Sequence, residues 1–277
     1  MASRPTLNLI GAGRVGQTLA RLWQTHGVVQ IQDVLTTSPA SATAAIHFIG
    51  AGHAAQELDA LSQADLWLIA VPDRQIGAVA EKLARARAGA PPATAFHASG
   101  ALAAAELAPL QAQGWCLASA HCILSFATPA TAVQQFAGTP CALEGEARAL
   151  SAVQPLFSAI GARCFTLASE HKLLYHAAAV FATNFLPVLQ ATAESLWEHS
   201  GVPPELLPQL RSTLLHNAVD NLLRLGPAGA LTGPAARGDL SLVQRQEQAL
   251  AQYDTSTGAA YAALSALAAR LARDGRL

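Results

Sequence analysis

The chain has 277 residues, of which 52% are apolar and only 13% charged, and a net charge of −1. This balance provides ample material for a substantial core in two domains or one large one. With no Lys/Arg cluster there is no footprint for a polyanion, so nucleic acid is not an expected partner.

The first element is a strand through Leu7, Leu9 and Ile10 that stops at Gly11. Gly11, Gly13 and Gly16 then follow in GxGxxG spacing and open a helix carrying Val15, Leu19, Leu22 and Trp23. Each glycine meets a steric need: a tight turn at Gly11, close approach of a pyrophosphate at Gly13, and helix–sheet packing at Gly16. The helix aims its free N–H groups and positive dipole end at the phosphates. Gly11, Ala12, Gly13, Arg14, Val15 and Gly16 are therefore the expected dinucleotide cradle.

Val28 to Leu35 reads as the second strand, whose end faces the adenosine ribose. Asp33 lies at about the spacing of an NAD-selecting acid, but Val34 and Leu35 continue the strand beyond it. The hydroxyls of Thr36, Thr37 and Ser38 are the better ribose-end candidates, and they favour NADP over NAD. Ser38 also reads as the N-cap of a helix to Ile49, with Pro39 at its first position. Leu66 to Val71 is a continuous apolar run, the pattern of a strand covered on both faces. It ends in Pro72-Asp73, and a helix through Ile76, Val79, Ala80 and Leu83 follows. Thr94 to His97, Trp115 to Ala120, Thr139 to Leu143 and Ala162 to Leu167 read as further strands, with a helix from Glu146 to Ile160. The alternation predicts an α/β, doubly wound Rossmann-type domain over residues 1–167.

From Ser169 onwards only helical periodicity appears, broken by Pro187, Pro203-Pro204, Pro208 and the Gly226 to Gly238 segment. Residues 168–277 are thus expected to form an all-helical domain for substrate binding and dimerisation, with a cleft between the domains. Cys116, Cys122, Cys141 and Cys164 show no CxxC or metal-ligand spacing, so they read as reduced, mostly buried thiols and no metal is expected. No charged leader precedes an apolar segment, and no uninterrupted apolar run reaches spanning length. A soluble, cytoplasmic protein without a membrane partner is expected.

Ligands of open α/β sheets sit beyond the carboxyl ends of the strands. Here those ends carry the glycine turn, Val71-Pro72-Asp73, His97 to Gly100, and His121 to Ser125. Val71, Pro72 and Ser99 are expected near the nicotinamide half of the cofactor. In the helical part, Lys172 and His176 lie four apart on one face, Asn184 two turns further on, and Pro187 should bend the helix at Thr183. Lys172, His176, Asn184, Ser99 and Arg237 are the candidate catalytic residues.

LIGAGRVG (9–16), AVPDRQI (70–76), FHASGAL (96–102), KLLYHAAAVFATNFL (172–186) and ALTGPAARGD (230–239) together resemble a bacterial family. Its members are Rossmann-like proteins with a C-terminal helical domain of unknown function, regarded as NADP-dependent oxidoreductases. The chain is more distantly similar to pyrroline-5-carboxylate reductase, ketopantoate reductase and the β-hydroxyacid dehydrogenases. The resemblance implies a homodimer that binds its small-molecule substrate between the two domains. Three departures stand out: Thr36-Thr37-Ser38 replaces an Asn-Arg-Ser type triplet, His121-Cys122-Ile123 replaces His-Pro-Leu, and His176 stands where the dehydrogenases pair their lysine with asparagine. The resulting expectation is a reductase of a small carbonyl or imine compound. Lys172 or His176 would donate the proton, Asn184 and Ser99 orient the substrate, and Arg237 hold a carboxylate. A non-catalytic NADP(H) sensor with the same fold is the alternative.

Overall fold

The computed structural model describes residues 4–277. In chain order the elements are β1 (Thr6–Ile10), α1 (Arg14–Thr25), β2 (Gln30–Leu35), α2 (Pro39–Ile49), β3 (His53–Ala55), β4 (Leu66–Ile69), α3 (Ile76–Ala86), β5 (Thr94–His97), α4 (Ala108–Gln111), β6 (Cys116–Cys122), α5 (Pro129–Gln135), β7 (Pro140–Gly145), α6 (Ala147–Ala159) and β8 (Arg163–Thr166). Helices α7 (Lys172–Ala179), α8 (Phe185–His199), α9 (Leu207–Ala230), α10 (Leu240–Tyr253) and α11 (Thr255–Asp274) follow. The chain divides into two compact units, one ending at Phe181 and the other Ala182–Leu277.

The first unit is built on one eight-stranded sheet in the order β3-β2-β1-β4-β5-β6-β7-β8. Pairing is parallel from β3 across to β6, β7 runs antiparallel to β6, and β8 is parallel to β7. The strand order reverses between β1 and β4, the place where a doubly wound sheet opens a ligand crevice. Both faces are covered, and period-two alternation divides the apolar side chains between them. Leu66 and Leu68 of β4 join one core with Trp23, Phe96 and Phe157, whereas Trp67 and Ile69 join the other with Trp115. Trp23 is fully buried, stacks edge-on against Phe157 at 5.4 Å, and donates its indole N–H to the Leu156 carbonyl at 3.0 Å.

A polar bracket lies inside this apolar frame. Asn8, buried on β1, donates to the Ser62 carbonyl at 2.7 Å and accepts from the Asp33 amide at 3.1 Å. The Asp33 carboxylate accepts from the Ser62 amide at 2.6 Å. Every member has a partner, as buried polar groups require. All four cysteines are free thiols.

The sequence reading passes over β3, of three residues, and α5, which Thr128 caps by accepting from the Thr131 amide. The expected domain boundary falls near Leu167, whereas residues 168–181 pack with the sheet unit, where Lys172 is buried. A π-helical segment, Val180–Asn184, precedes α8. Its cause is Pro187, which has no N–H for the Thr183 carbonyl and crowds it, widening the preceding turn. By length and composition the helical stretch Ser169–His199 is apolar enough to cross a membrane. A search for uninterrupted apolar runs misses it because Lys172 and His176 interrupt the pattern.

The second unit is helical throughout. Asp239 caps α10 and Asp254 caps α11, each through a carboxylate that accepts an amide three residues on. At Gly258 a methyl group would stand 2.9 Å from the Ala251 backbone, so α10 and α11 approach closely. The expected break in the glycine- and proline-rich stretch occurs at Gly226, where φ is +70°, although a helical turn resumes as far as Ala230. Among the described residues from Ala182 on, only Leu207, Val243 and Gly258 are buried.

Candidate cofactor and substrate site

The turn between β1 and α1 has the form that a diphosphate needs. Gly11 adopts φ +83°, and a methyl group there would lie 2.6 Å from the Ala70 carbonyl oxygen. At Gly16 it would lie 2.7 Å from the Gly11 carbonyl oxygen. At Gly13, by contrast, nothing stands within 4 Å of that position. Gly13 is also the N-cap of α1 and makes no side-chain cap bond, so the first N–H groups of the helix have no intrahelical partner. The Gln17 side chain steadies the loop by donating to the Ala12 carbonyl at 2.6 Å. Two glycines therefore close the turn and one leaves it open, which fits a dinucleotide phosphate on bare backbone. Val71 packs against Gly11 and belongs to the turn's support, while Pro72 leads into a short 3-10 turn at Asp73–Gln75.

Asp33 does not reach the ribose end. It sits within β2, two residues short of its end, and its carboxylate is engaged by Ser62. Beyond the strand, Thr36 donates its hydroxyl to the Ser38 carbonyl at 2.8 Å, and the Ser38 oxygen caps α2 by accepting from the Ser41 amide at 3.2 Å. Thr37 is exposed.

A cavity of about 190 Å³ adjoins α1 and is lined by Val15, Asp73, Ser99, Gly100, His121 and His176, among others. Ser99 spends its hydroxyl on the loop. It donates to Asp73 Oδ2 at 2.8 Å and accepts from the amides of Ala101 and Leu102 at 3.2 and 3.0 Å. Its hydrogen and both lone pairs are thus committed, and it positions the loop rather than presenting a free hydroxyl.

Helix α7 brings the remaining polar groups to the tips of β5 and β6. Lys172, 1% exposed, donates to the Ser99 carbonyl at 3.1 Å and to the Ser119 hydroxyl. Among the described residues no carboxylate lies within 4.0 Å of its ammonium. Burial therefore pushes the Lys172 pKa down, opposed by the fields of Glu144 and Asp73. One turn on, Tyr175 places its hydroxyl 3.0 Å from His121 Nδ1, and burial raises its pKa. His176 adjoins Gly100, and its Nδ1 is buried without a hydrogen-bond partner. His121 has its pKa lowered to about 4 by burial, then by His176 and Lys172.

His97 differs from these two. It is fully buried, with Nε2 2.9 Å from the Ala103 carbonyl and Nδ1 3.2 Å from the Ser99 amide. Those partners fix the neutral Nε2–H tautomer, and burial lowers its pKa. It is a structural histidine. Glu144 is structural too, accepting from the Ala104 amide at 2.7 Å and the Ser169 hydroxyl at 2.6 Å.

Of the sequence candidates, the first unit brings together the glycine cradle, Val71, Pro72, Ser99, Lys172 and His176. Asn184 and Arg237 belong to the second unit, where both are exposed and Asn184 Oδ1 accepts from the Thr183 hydroxyl at 2.9 Å. Tyr175 and Ser119 are the site residues that sequence reasoning misses. The available signal for Tyr175 is its position between Lys172 and His176 on a short helix.

Residues 1–122 match a Rossmann-like domain, and residues 139–268 match a domain of unknown function, DUF2520. The second match starts at the edge of β7, well before the division at Phe181. No curated protein matches the chain by sequence. Among solved structures, protein TM1727 of Thermotoga maritima is 26% identical over 98% of this chain and 100% of its own, with a TM-score of 0.75. A Bacteroides fragilis protein provisionally named an NADP oxidoreductase is 21% identical over 96% of this chain and 98% of its own, TM-score 0.71. An imine reductase from Myxococcus stipitatus, solved with NADP+, is 19% identical over 98% of this chain and 96% of its own, TM-score 0.64. The last two share the fold. The chain thus resembles, in succession, a Rossmann-like domain over residues 1–122 and a DUF2520 domain over residues 139–268.

Proposed function

We propose that this chain is an NADP-dependent oxidoreductase that reduces a small carbonyl or imine compound. The observation that carries the reading is the junction of cradle and cavity. Val15, in the first turn of α1, lines the same cavity as His121 and His176, so phosphate-binding backbone and proton-bearing side chains share one crevice. The imine reductase that shares the fold, and holds NADP+, supports the same reading.

A bound reduced nicotinamide would supply hydride. The protein's own part is to hold the diphosphate on the Arg14, Val15 and Gly16 amides, orient the substrate, and protonate the oxygen or nitrogen that reduction leaves anionic. NADP is preferred to NAD because the end of β2 presents Thr36, Thr37 and Ser38 and no carboxylate to repel a 2′-phosphate. Calorimetry with NADPH and NADH tests the cofactor, and a panel of keto acids, ketones and cyclic imines tests the reaction. NADPH binding with turnover of a panel member is expected. Binding without turnover across the panel refutes the enzyme and leaves a sensor.

The chain also works as a homodimer. Its helical unit leaves Phe185, Val188, Leu189, Leu214, Leu222 and Leu223 exposed on α8 and α9. A helical unit with three buried residues needs another surface to become stable, and a second copy supplies a self-complementary one. Light scattering should give twice the chain mass; a monomer at micromolar concentration refutes it.

A further inference from the structure

Two imidazoles meet over Gly100. A methyl group there would lie 2.5 Å from His176 Nδ1 and 2.8 Å from His121 Nε2. The rings stand edge to face with centroids 5.8 Å apart. Both line the cavity, and His176 Nδ1 lacks the partner that a buried nitrogen requires.

We propose that His121 and His176 act as a pair that holds one proton and delivers it to the substrate's heteroatom, while Lys172 positions the loop beneath them and gives up no proton. The proposal rests on the reductase reading and assigns its proton. Two imidazolium rings at this separation, partly withdrawn from water, repel one another, so the first proton excludes a second. The other ionisable groups around the pair are Asp73 after β4, His97 on β5, Cys122 at the end of β6, and Lys172 and Tyr175 on α7, with Glu144 on β7 beyond Lys172. Asp73 favours proton uptake by His121 and Lys172 opposes it. Burial outweighs both and keeps His121 neutral at physiological pH, and the partnerless Nδ1 of His176 is the ring nitrogen open to a substrate atom in the cavity. The Tyr175 hydroxyl sits on His121 Nδ1, so it is the His121 Nε2 edge that faces Gly100.

Lys172 is engaged elsewhere. Its ammonium holds the Ser99 carbonyl and the Ser119 hydroxyl, tying the tip of β5 to β6. The Ser99 carbonyl belongs to the peptide that joins Ser99 to Gly100, so Lys172 fixes the surface on which both rings rest. In the reaction, the substrate carbon accepts hydride and its C=O or C=N π bond breaks. The freed pair on oxygen or nitrogen takes the proton from His176 Nδ1. The substrate gains two electrons, which the nicotinamide loses, and His176 recovers its proton from solvent.

The test is nitrogen-15 NMR of the histidine rings in the full-length protein with NADP+ present. In the wild type, His121 should titrate near pH 4, well below the ordinary 6.5. His176→Gln should move that midpoint up by removing the neighbouring charge, and Tyr175→Phe should change the His121 tautomer signal. With a panel compound that turns over, His176→Gln should lower kcat by about a hundredfold or more and remove its proton-dependent limb. Lys172→Met should lower kcat with the limb kept, and Lys172→Arg should restore part of the rate. A wild-type His121 midpoint near 6.5, or one unmoved by His176→Gln, overturns the pair. Loss of the limb in Lys172→Met with its retention in His176→Gln overturns the assignment to His176. Failure of every panel compound sinks the reductase reading alone, because the NMR titration still decides the pair.

Discussion

Gly13→Ala separates the phosphate cradle from the fold that carries it. Nothing lies within 4 Å of the added methyl group, and φ at Gly13 is −72°, which alanine adopts without strain. Removing glycine's freedom from the unfolded chain stabilises by roughly 0.4–1 kcal/mol, whereas alanine is a poorer N-cap by a few tenths or more. These terms oppose each other, so the melting temperature should stay within about 4 °C of wild type. Binding should behave otherwise. The methyl group occupies the space through which a diphosphate reaches the backbone, and an overpacking cost of about 1–3 kcal/mol weakens NADPH by roughly 5- to 150-fold. Gly16→Ala is the contrast, because its methyl group meets the Gly11 carbonyl oxygen at 2.7 Å and should destabilise the fold itself. Thermal melts and calorimetry on the two variants read both effects. A folded Gly13→Ala protein that binds NADPH like the wild type refutes the cradle.

Asp33→Ala removes the acceptor of the Ser62 amide and should cost about 1.5–3 kcal/mol in urea unfolding without changing the ratio of NADPH to NADH affinity. A changed ratio would return Asp33 to the ribose. Trp23→Ala empties a site that is 0% exposed and strips the Leu156 bond, so a loss of roughly 3–5 kcal/mol is expected by the same method. A loss below 1 kcal/mol would mean the core does not rest on it. His121 titrates near 4 when folded and near 6.5 when unfolded, so below pH 6.5 the unfolded chain binds the extra proton. Its contribution is complete above that pH and is withdrawn between 6.5 and 4, amounting to at most roughly 3 kcal/mol. Unfolding at stepped pH checks the slope, and a stability that rises on acidification refutes it.

What the sequence reveals here is local, and what it hides is long-range. Gly11, Gly13 and Gly16 announce themselves by spacing, and the buried β4 by its unbroken apolar run. Both signals lie within a few neighbouring residues. Ser119 and Tyr175 carry no such mark, because they matter only through partners 53 and 54 residues away in the chain. His97 and His121 look alike in the sequence, each near the end of a strand. Folding saturates both nitrogens of His97 and leaves one edge of His121 on a cavity, a difference that residue type cannot encode. The placement of residues 168–181 was equally hidden. Helical periodicity says that the segment is a helix, but the burial of Lys172 against Ser99 and Ser119 decides which unit it joins.

The sheet ends on both sides in stubs: β3 has three residues and β8 has four. An outermost strand displays unpaired amides and carbonyls that can recruit a stranger's backbone, and the hazard grows with its length. Edges this brief give an incoming chain few rungs to climb. Even at high concentration, fibrillar growth from the native sheet is therefore disfavoured.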